Sequence, residues 1–252
     1  MIDYYGPDGW SDLDPGVELH RQRVAREVIA DLAARAPAGP FRVLDAGCGD
    51  GTFVDRLART LDRPGTRFTG VDRSEFQLAK ARRLAEAADA PYDFRVADLG
   101  VRIPFDDATF DLVHAAEVIE HLLDPDLLVD EAARVLRPGG HVVITTPNLH
   151  AWFNRILFVA GIQPLFHETS TRSTQVGAGP LRRWKRYDRP VGHLRLFNRA
   201  ALEDLLRRAG LRPVGAWGAR YHDMPRAGQW LDSILCRRPS LAAVLVVVAR
   251  KD

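Results

Sequence analysis

The stretch Val43-Leu44-Asp45-Ala46-Gly47-Cys48-Gly49-Asp50-Gly51 runs from an apolar strand straight into glycines at alternate positions. Without a Cβ, backbone can take positive φ and approach a ligand closely, which is what a sharp strand-to-helix turn over a binding site needs. The spacing is G-x-G-x-G, not the G-x-G-x-x-G that seats a pyrophosphate on a helix N-terminus. It suggests an adenosine without its diphosphate. Alone, the segment is only a tight turn.

Outward from it, apolar runs alternate with helix-period segments, the rhythm of stacked βα units on a mostly parallel sheet. Phe41 opens the first strand, and Phe53, Val54, Leu57, Ala58 and Leu61 repeat at helical spacing after the turn. A second strand ends at Val71, and Ser74 with Gln77 forms a capping box for the next helix. Residues 93–97 and 110–115 read as strands three and four. Asp124 and Pro125 then start a helix that Arg137-Pro138-Gly139-Gly140 ends, and 141–145 follows as strand five. Asn198 caps a last helix to Ala209. Residues 214–217 and 242–249 are expected to close the sheet as a hairpin, antiparallel because no helical crossover separates them. The expected fold is α/β: a Rossmann-like seven-stranded sheet with helices on both faces and the last strand antiparallel.

The 252 residues are read as one domain, with an N-terminal cap at 1–40 containing a helix near 16–35, and an insertion at 149–193 after strand five. That insertion is long for an αβ connection, so it is expected to cover the ligand site. Hydrophobic residues at 46% and charged residues at 27% match a globular protein and argue against disorder or coiled coil. A net charge of +2 does not by itself imply a nucleic-acid or membrane partner. Of 35 basic residues, only Lys80, Lys185 and Lys251 are lysines, so arginine clusters are discounted as compositional bias. The apolar run at 241–249 is too short to cross a bilayer. Cys48 and Cys236 make no disulfide framework and no basic-then-apolar leader opens the sequence, so a cytoplasmic protein is expected.

Two carboxylates strengthen the glycine turn. Asp72, at the end of strand two, can take both ribose hydroxyls of a nucleoside lying across the strand ends. Asp98, after strand three, can accept from an exocyclic adenine amine. Together with Phe110-Asp111-Leu112-Val113 and Leu136-Arg137-Pro138-Gly139-Gly140, these motifs resemble the class I S-adenosylmethionine-dependent methyltransferases. The resemblance covers roughly 41–146 in register. It implies that Gly47, Cys48 and Gly49 face the methionine part of the cofactor, with Ala46 also at the cofactor and Asp45 at its amino group through water or directly. Asp72 then faces the ribose, Asp98 and Leu99 the adenine, with Arg73 and Ala116 alongside.

After strand four comes Ala116-Glu117-Val118-Ile119-Glu120-His121-Leu122. As a helical turn it would set Glu117, Glu120 and His121 on one face, with Val118 and Leu122 turned inward. The segment resembles the Glu-x-x-Glu-His of ubiquinone-type catechol O-methyltransferases and of small-RNA 2′-O-methyltransferases. That resemblance implies a divalent cation held by Glu117, Glu120, His121 and the downstream His193. Two carboxylates suit Mg²⁺, and two imidazoles suit Mn²⁺, Fe²⁺ or Zn²⁺. His121 as a metal-free base, or as a structural residue, stays open beside it.

Trp152, Phe153, Ile156, Leu157 and Phe158 lie near helical spacing, either packed on the sheet or lining an acceptor pocket. Arg182, Arg183, Trp184, Lys185, Arg186 and Tyr187 interleave charge with aromatic rings, a pattern able to bind phosphates and stack bases. Tyr4, Tyr5, Trp10 and the helix bearing Arg21 and Arg23 can fold over the cofactor. The leading expectation is methyl transfer to a hydroxyl, less favourably an amine, of a small-molecule acceptor. The alternatives are 2′-O-methylation of an RNA end, a non-catalytic adenosyl-binding module and a nicotinamide-dependent oxidoreductase, the last disfavoured by the glycine spacing.

Overall fold

The computed structural model describes residues 17–183, 188 and 190–252. Tyr4, Tyr5, Trp10 and residues 184–187 therefore lie outside the described residues. Helix α1 (His20–Arg35) leads into β1 (Phe41–Ala46), α2 (Thr52–Thr60), β2 (Thr66–Asp72), α3 (Glu75–Ala87), β3 (Asp93–Val96) and β4 (Phe110–Ala116). A 3-10 turn at Ile119–His121 precedes α4 (Pro125–Val135) and β5 (Leu136–Pro147). The chain continues through α5 (Trp152–Val159), α6 (Arg199–Arg208), β6 (Leu211–Ala219), α7 (Arg226–Leu235) and β7 (Val244–Lys251).

One seven-stranded sheet has the order β3-β2-β1-β4-β5-β7-β6. Strands β1 to β5 pair in parallel, and β7 runs antiparallel to both β5 and β6. Strand order reverses between β1 and β4, and in open α/β sheets ligands bind beyond the strand ends at such a point.

Side-chain alternation divides the core in two. Val43 of β1 and Leu112 of β4 face Ala25 and Ile29 of α1, Leu57 of α2 and Leu78 of α3. Leu44 and Val113 face the other way, onto Leu128 and Val129 of α4 and Leu202 and Leu206 of α6. Both faces are thus covered, as a parallel sheet requires. The expected helix starts hold, with Ser74 accepting from Gln77 N, Asp124 from Leu127 N and Asn198 from Ala201 N, but the capping box is only half formed, because Ser74 N donates to Asp72 Oδ1 and not to Gln77.

Two expectations are corrected. Helix α7 does separate β6 from β7; their antiparallel pairing is real, but the connection is not a simple hairpin. Trp230, Leu231, Ile234 and Leu235 recur at helical spacing there but were passed over in the sequence, and of α7 only Asp232 is buried. Residues 137–140 do not stand apart as a helix stop, because β5 begins at Leu136 and absorbs them as a bulge between the Phe110–Leu136 and Leu112–His141 pairings. Arg137 pairs there with Asp111, whose other oxygen accepts from Arg42 N at 2.7 Å.

The insertion divides in function. Helix α5 forms as expected, but Phe153 packs with Phe166 and Tyr221 against Ala219, Ala243 and Val244, and Trp152 Nε1 donates to Asp232 at 2.9 Å. Ile156, Phe158 and Val159 are exposed. Trp152 and Phe153 thus pack beside the sheet, and no residue of α5 lines the cavity described next.

Candidate active site

Beyond the carboxyl ends of β1, β2, β3 and β4 lies a cavity of about 630 Å³, within the roughly 300–1,000 Å³ of ordinary small-molecule sites. Its floor is the glycine turn. Gly47 has φ +88°, and a Cβ there would meet Val118 Cγ2 at 2.4 Å; Gly49 has φ +54° and open space where its Cβ would stand. The first glycine lets the next strand's loop come close, and the second leaves room at the cavity wall.

Asp72 ties this floor together. Its Oδ2 accepts from Gly49 N at 3.0 Å and its Oδ1 from Ser74 N at 2.8 Å. Each oxygen keeps a second lone pair, and the side chain lines the cavity, so ribose hydroxyls can be received without breaking either bond. Burial raises its pKa above the usual carboxylate range, partly offset by those two N–H donors. Asp98 lines the same cavity and fixes its own loop through Gly100 N at 2.8 Å.

Of the expected cofactor residues, Gly47, Gly49, Asp72, Arg73, Asp98, Leu99 and Ala116 line the cavity. Asp45, Ala46 and Cys48 do not. Asp45 is buried and bonded to His114 Nδ1 at 2.7 Å, and that ring stacks on Phe53 with centroids 4.3 Å apart. The carboxylate assigned to the amino group is thus committed to an internal pair. Ala46 is a core residue and Cys48 lies beneath the turn.

The Glu-Val-Ile-Glu-His segment differs from one helical face. Glu117 has left-handed backbone at φ +54°, and only Ile119–His121 turns, in a tight 3-10 arc. Glu120 therefore points inward, fully buried, with Oε2 accepting from Thr146 Oγ1 at 3.0 Å and Oε1 without a hydrogen-bond partner. Val118 and Leu122, expected inside, line the cavity. Glu117 also lines it, but is held by Arg21 at 3.5 Å and by Thr145 Oγ1 at 3.1 Å.

His121 and His193 meet at the cavity with ring centroids 5.0 Å apart. His121 Nδ1 lies 3.1 Å from Gly192 O, and His193 Nδ1 lies 2.9 Å from Phe166 O. A carbonyl only accepts, so each ring carries its proton on Nδ1 and presents a basic Nε2. Burial and the neighbouring His193 push the His121 pKa down to about 4, which keeps it neutral at ordinary pH. Burial, then Glu117, pushes the Glu120 carboxyl well above its usual range.

Among the described residues, donor atoms of Glu120, His121 and His193 lie within 4.8 Å of one another. An orphaned carboxylate oxygen and two imidazoles held through their far nitrogens form a donor set that fits a divalent cation. Glu117 stands outside this trio, which removes one of the two carboxylates that favoured Mg²⁺ and shifts the set towards Mn²⁺, Fe²⁺ or Zn²⁺.

Several cavity residues were not singled out from sequence as site residues. Val17, Leu19 and Gln22 join Arg21 at the start of α1, while Gln77 and Lys80 stand one turn apart on α3. The helical spacing of the last two, just after the Asp72 strand end, was the available signal. From the insertion, Val191 and His193 reach the cavity.

Similar proteins bear on this arrangement. A ubiquinone biosynthesis O-methyltransferase from Methylocella silvestris is 34% identical over 162 residues, 58% of this chain and 61% of that relative. A 27-O-demethylrifamycin SV methyltransferase from Amycolatopsis mediterranei is 35% identical over 137 residues, 54% of this chain and 48% of that one. The match to each therefore spans less than two thirds of the relative's length. The crystal structure of the [4+2]-cyclase SpnF has the same fold at a TM-score of 0.62, with 22% identity over 95% of this chain and 85% of that chain. A methyltransferase domain model matches residues 17–215, and with the sheet order and glycine floor this makes the chain a member of the methyltransferase domain family, in its class I S-adenosylmethionine-dependent form.

Proposed function

We propose that the protein transfers the methyl group of S-adenosylmethionine to a hydroxyl oxygen of a small molecule. One observation underlies this reading: Asp72, Asp98, His121 and His193 line a single cavity. In the reaction the O–CH₃ bond forms as the S–CH₃ bond breaks, the sulfonium leaves as a neutral thioether, and the hydroxyl proton passes to His121 Nε2. The donor is intrinsically reactive, so the chain's main tasks are alignment, exclusion of water and removal of that proton. Neutral His121 is in the right state to take it, and its Gly192 contact fixes which nitrogen faces the acceptor.

Glu120, His121 and His193 are the residues that would hold a divalent cation; with one bound, His121 Nε2 would be its ligand and not the proton acceptor, so the two roles are alternatives. Its chemistry would be to lower the pKa of the acceptor hydroxyl. Support for oxygen as the acceptor atom comes from the names of the two relatives, and support for a small acceptor from the size of the cavity.

The test uses methyl-labelled donor with catechol, sugar, nucleoside and RNA-end acceptors, with and without EDTA. Transfer to a small hydroxyl acceptor is expected. Replacing His121 with Ala should lower the rate by about 10²–10⁴-fold, the usual contribution of a general base, with S-adenosylhomocysteine affinity retained. Full activity in EDTA would remove the cation from the reading, and label appearing only on RNA or on nitrogen would replace the acceptor class.

A further inference from the structure

The insertion contains a side chain outside the cavity whose hydrogen bonds, among the described residues, go to the backbone beside the two histidines. Glu168 accepts three consecutive backbone N–H groups: Val191 N at 2.7 Å on Oε1, then Gly192 N at 2.7 Å and His193 N at 3.1 Å on Oε2. Successive N–H groups turned to one side form a concave nest for an anion, and here the chain fills it with its own carboxylate. Gly192, in left-handed backbone at φ +88°, permits that curl.

The next two amides are fixed from the opposite side. Leu194 N and Arg195 N donate to Glu120 O at 2.8 and 3.0 Å. Five consecutive N–H groups, 191 to 195, are thus divided between Glu168 and the backbone of Glu120. The clamped segment supplies Gly192 O to His121 Nδ1, while His193 Nδ1 reaches Phe166 O, two residues before Glu168. Two stretches of the insertion, tied to each other through Glu168, therefore set the tautomer and direction of both rings.

We propose that Glu168 is a positioning residue for methyl transfer, acting through the 191–193 backbone to aim His121 and His193 at the acceptor. This rests on the O-methylation reading. Glu168 does not line the cavity, so its loss should leave the adenosyl side untouched.

Glu168→Gln is the informative change, because an amide brings an N–H group against backbone N–H donors. Glu168→Asp keeps the charge and shortens the reach. In the full chain, Glu168→Gln is expected to lower kcat by roughly tenfold to a hundredfold, the scale of an ångström-sized misplacement, with S-adenosylhomocysteine affinity at its wild-type value and Tm lower by about 5–10 °C for the weakened hydrogen bonds. Hydrogen exchange at amides 191–193 should quicken, and Glu168→Asp should recover part of both effects; if the Gln variant does not fold, the Asp variant bears the same comparison. Unchanged exchange, an unchanged kcat despite faster exchange, or a fall of affinity in parallel with kcat would each overturn the proposal. A wild-type chain that binds the demethylated cofactor yet methylates no hydroxyl would overturn the O-methylation reading instead, and exchange at 191–193 in the Gln variant would then decide whether Glu168 clamps the segment.

Discussion

Asp72 performs two tasks in the fold, and the proposed function gives it a third. It fastens Gly49 with one oxygen, starts α3 with the other, and presents its remaining lone pairs to the cavity. Accepting from ligand hydroxyls as well as from two N–H groups requires the ionised form, and burial has raised the pH needed to reach it. Affinity for S-adenosylhomocysteine is therefore expected to be full above that raised pKa and to fall as pH drops through it. Calorimetric titration from neutral pH downward reads this directly. Asp72→Asn should bind at least about tenfold more weakly at neutral pH, since a hydrogen bond to a charged group contributes roughly 1.5–3 kcal/mol, and should lose this acid dependence. Identical pH profiles for the two proteins would show that the titrating group lies elsewhere.

The turn between β1 and α2 shows how one element can have two separable roles. Gly47→Ala adds left-handed strain and drives a Cβ into Val118, next to the 3-10 turn that bears His121, so about 2–5 kcal/mol of stability should be lost. Gly49→Ala meets no atom within 4 Å and should cost only the backbone strain, about 1–2 kcal/mol, while its methyl group intrudes on the cofactor wall and weakens binding. Urea unfolding and calorimetry on both variants separate the effects; a larger stability loss at Gly49 than at Gly47 would contradict this account. Elements of this kind were legible because their causes are local: Ser74, Asp124 and Asn198 sit beside the helices they cap, and the strands alternate or run apolar. What sequence did not reveal depends on distant partners. His114 is 69 residues from Asp45 and Glu168 is 23 to 25 residues from the amides it receives, so neither spacing betrays the pair. The left-handed Glu117 likewise undid a helical reading that its residue types invited.

At the level of the whole chain, the start of α1, the strand ends of the sheet and the end of the insertion all border one cavity, so ligand occupancy should be felt globally. With S-adenosylhomocysteine at a hundred times its Kd, linkage adds about 2.7 kcal/mol, which for a chain of this size raises Tm by about 5–10 °C. NAD⁺ at the same concentration should leave the melting curve in place, and the reverse result would restore the oxidoreductase alternative. The two rims of the sheet differ in kind. On one, β3 is only four residues long; on the other, β6 is longer, with Val214 and Trp217 exposed. Yet β6 contains Pro213, which has no N–H to offer, and its register with β7 slips between Pro213 and Gly215. An extended segment from another molecule would find no regular template along that margin, so the sheet is guarded against growing by edge-to-edge polymerisation even where its border is oily.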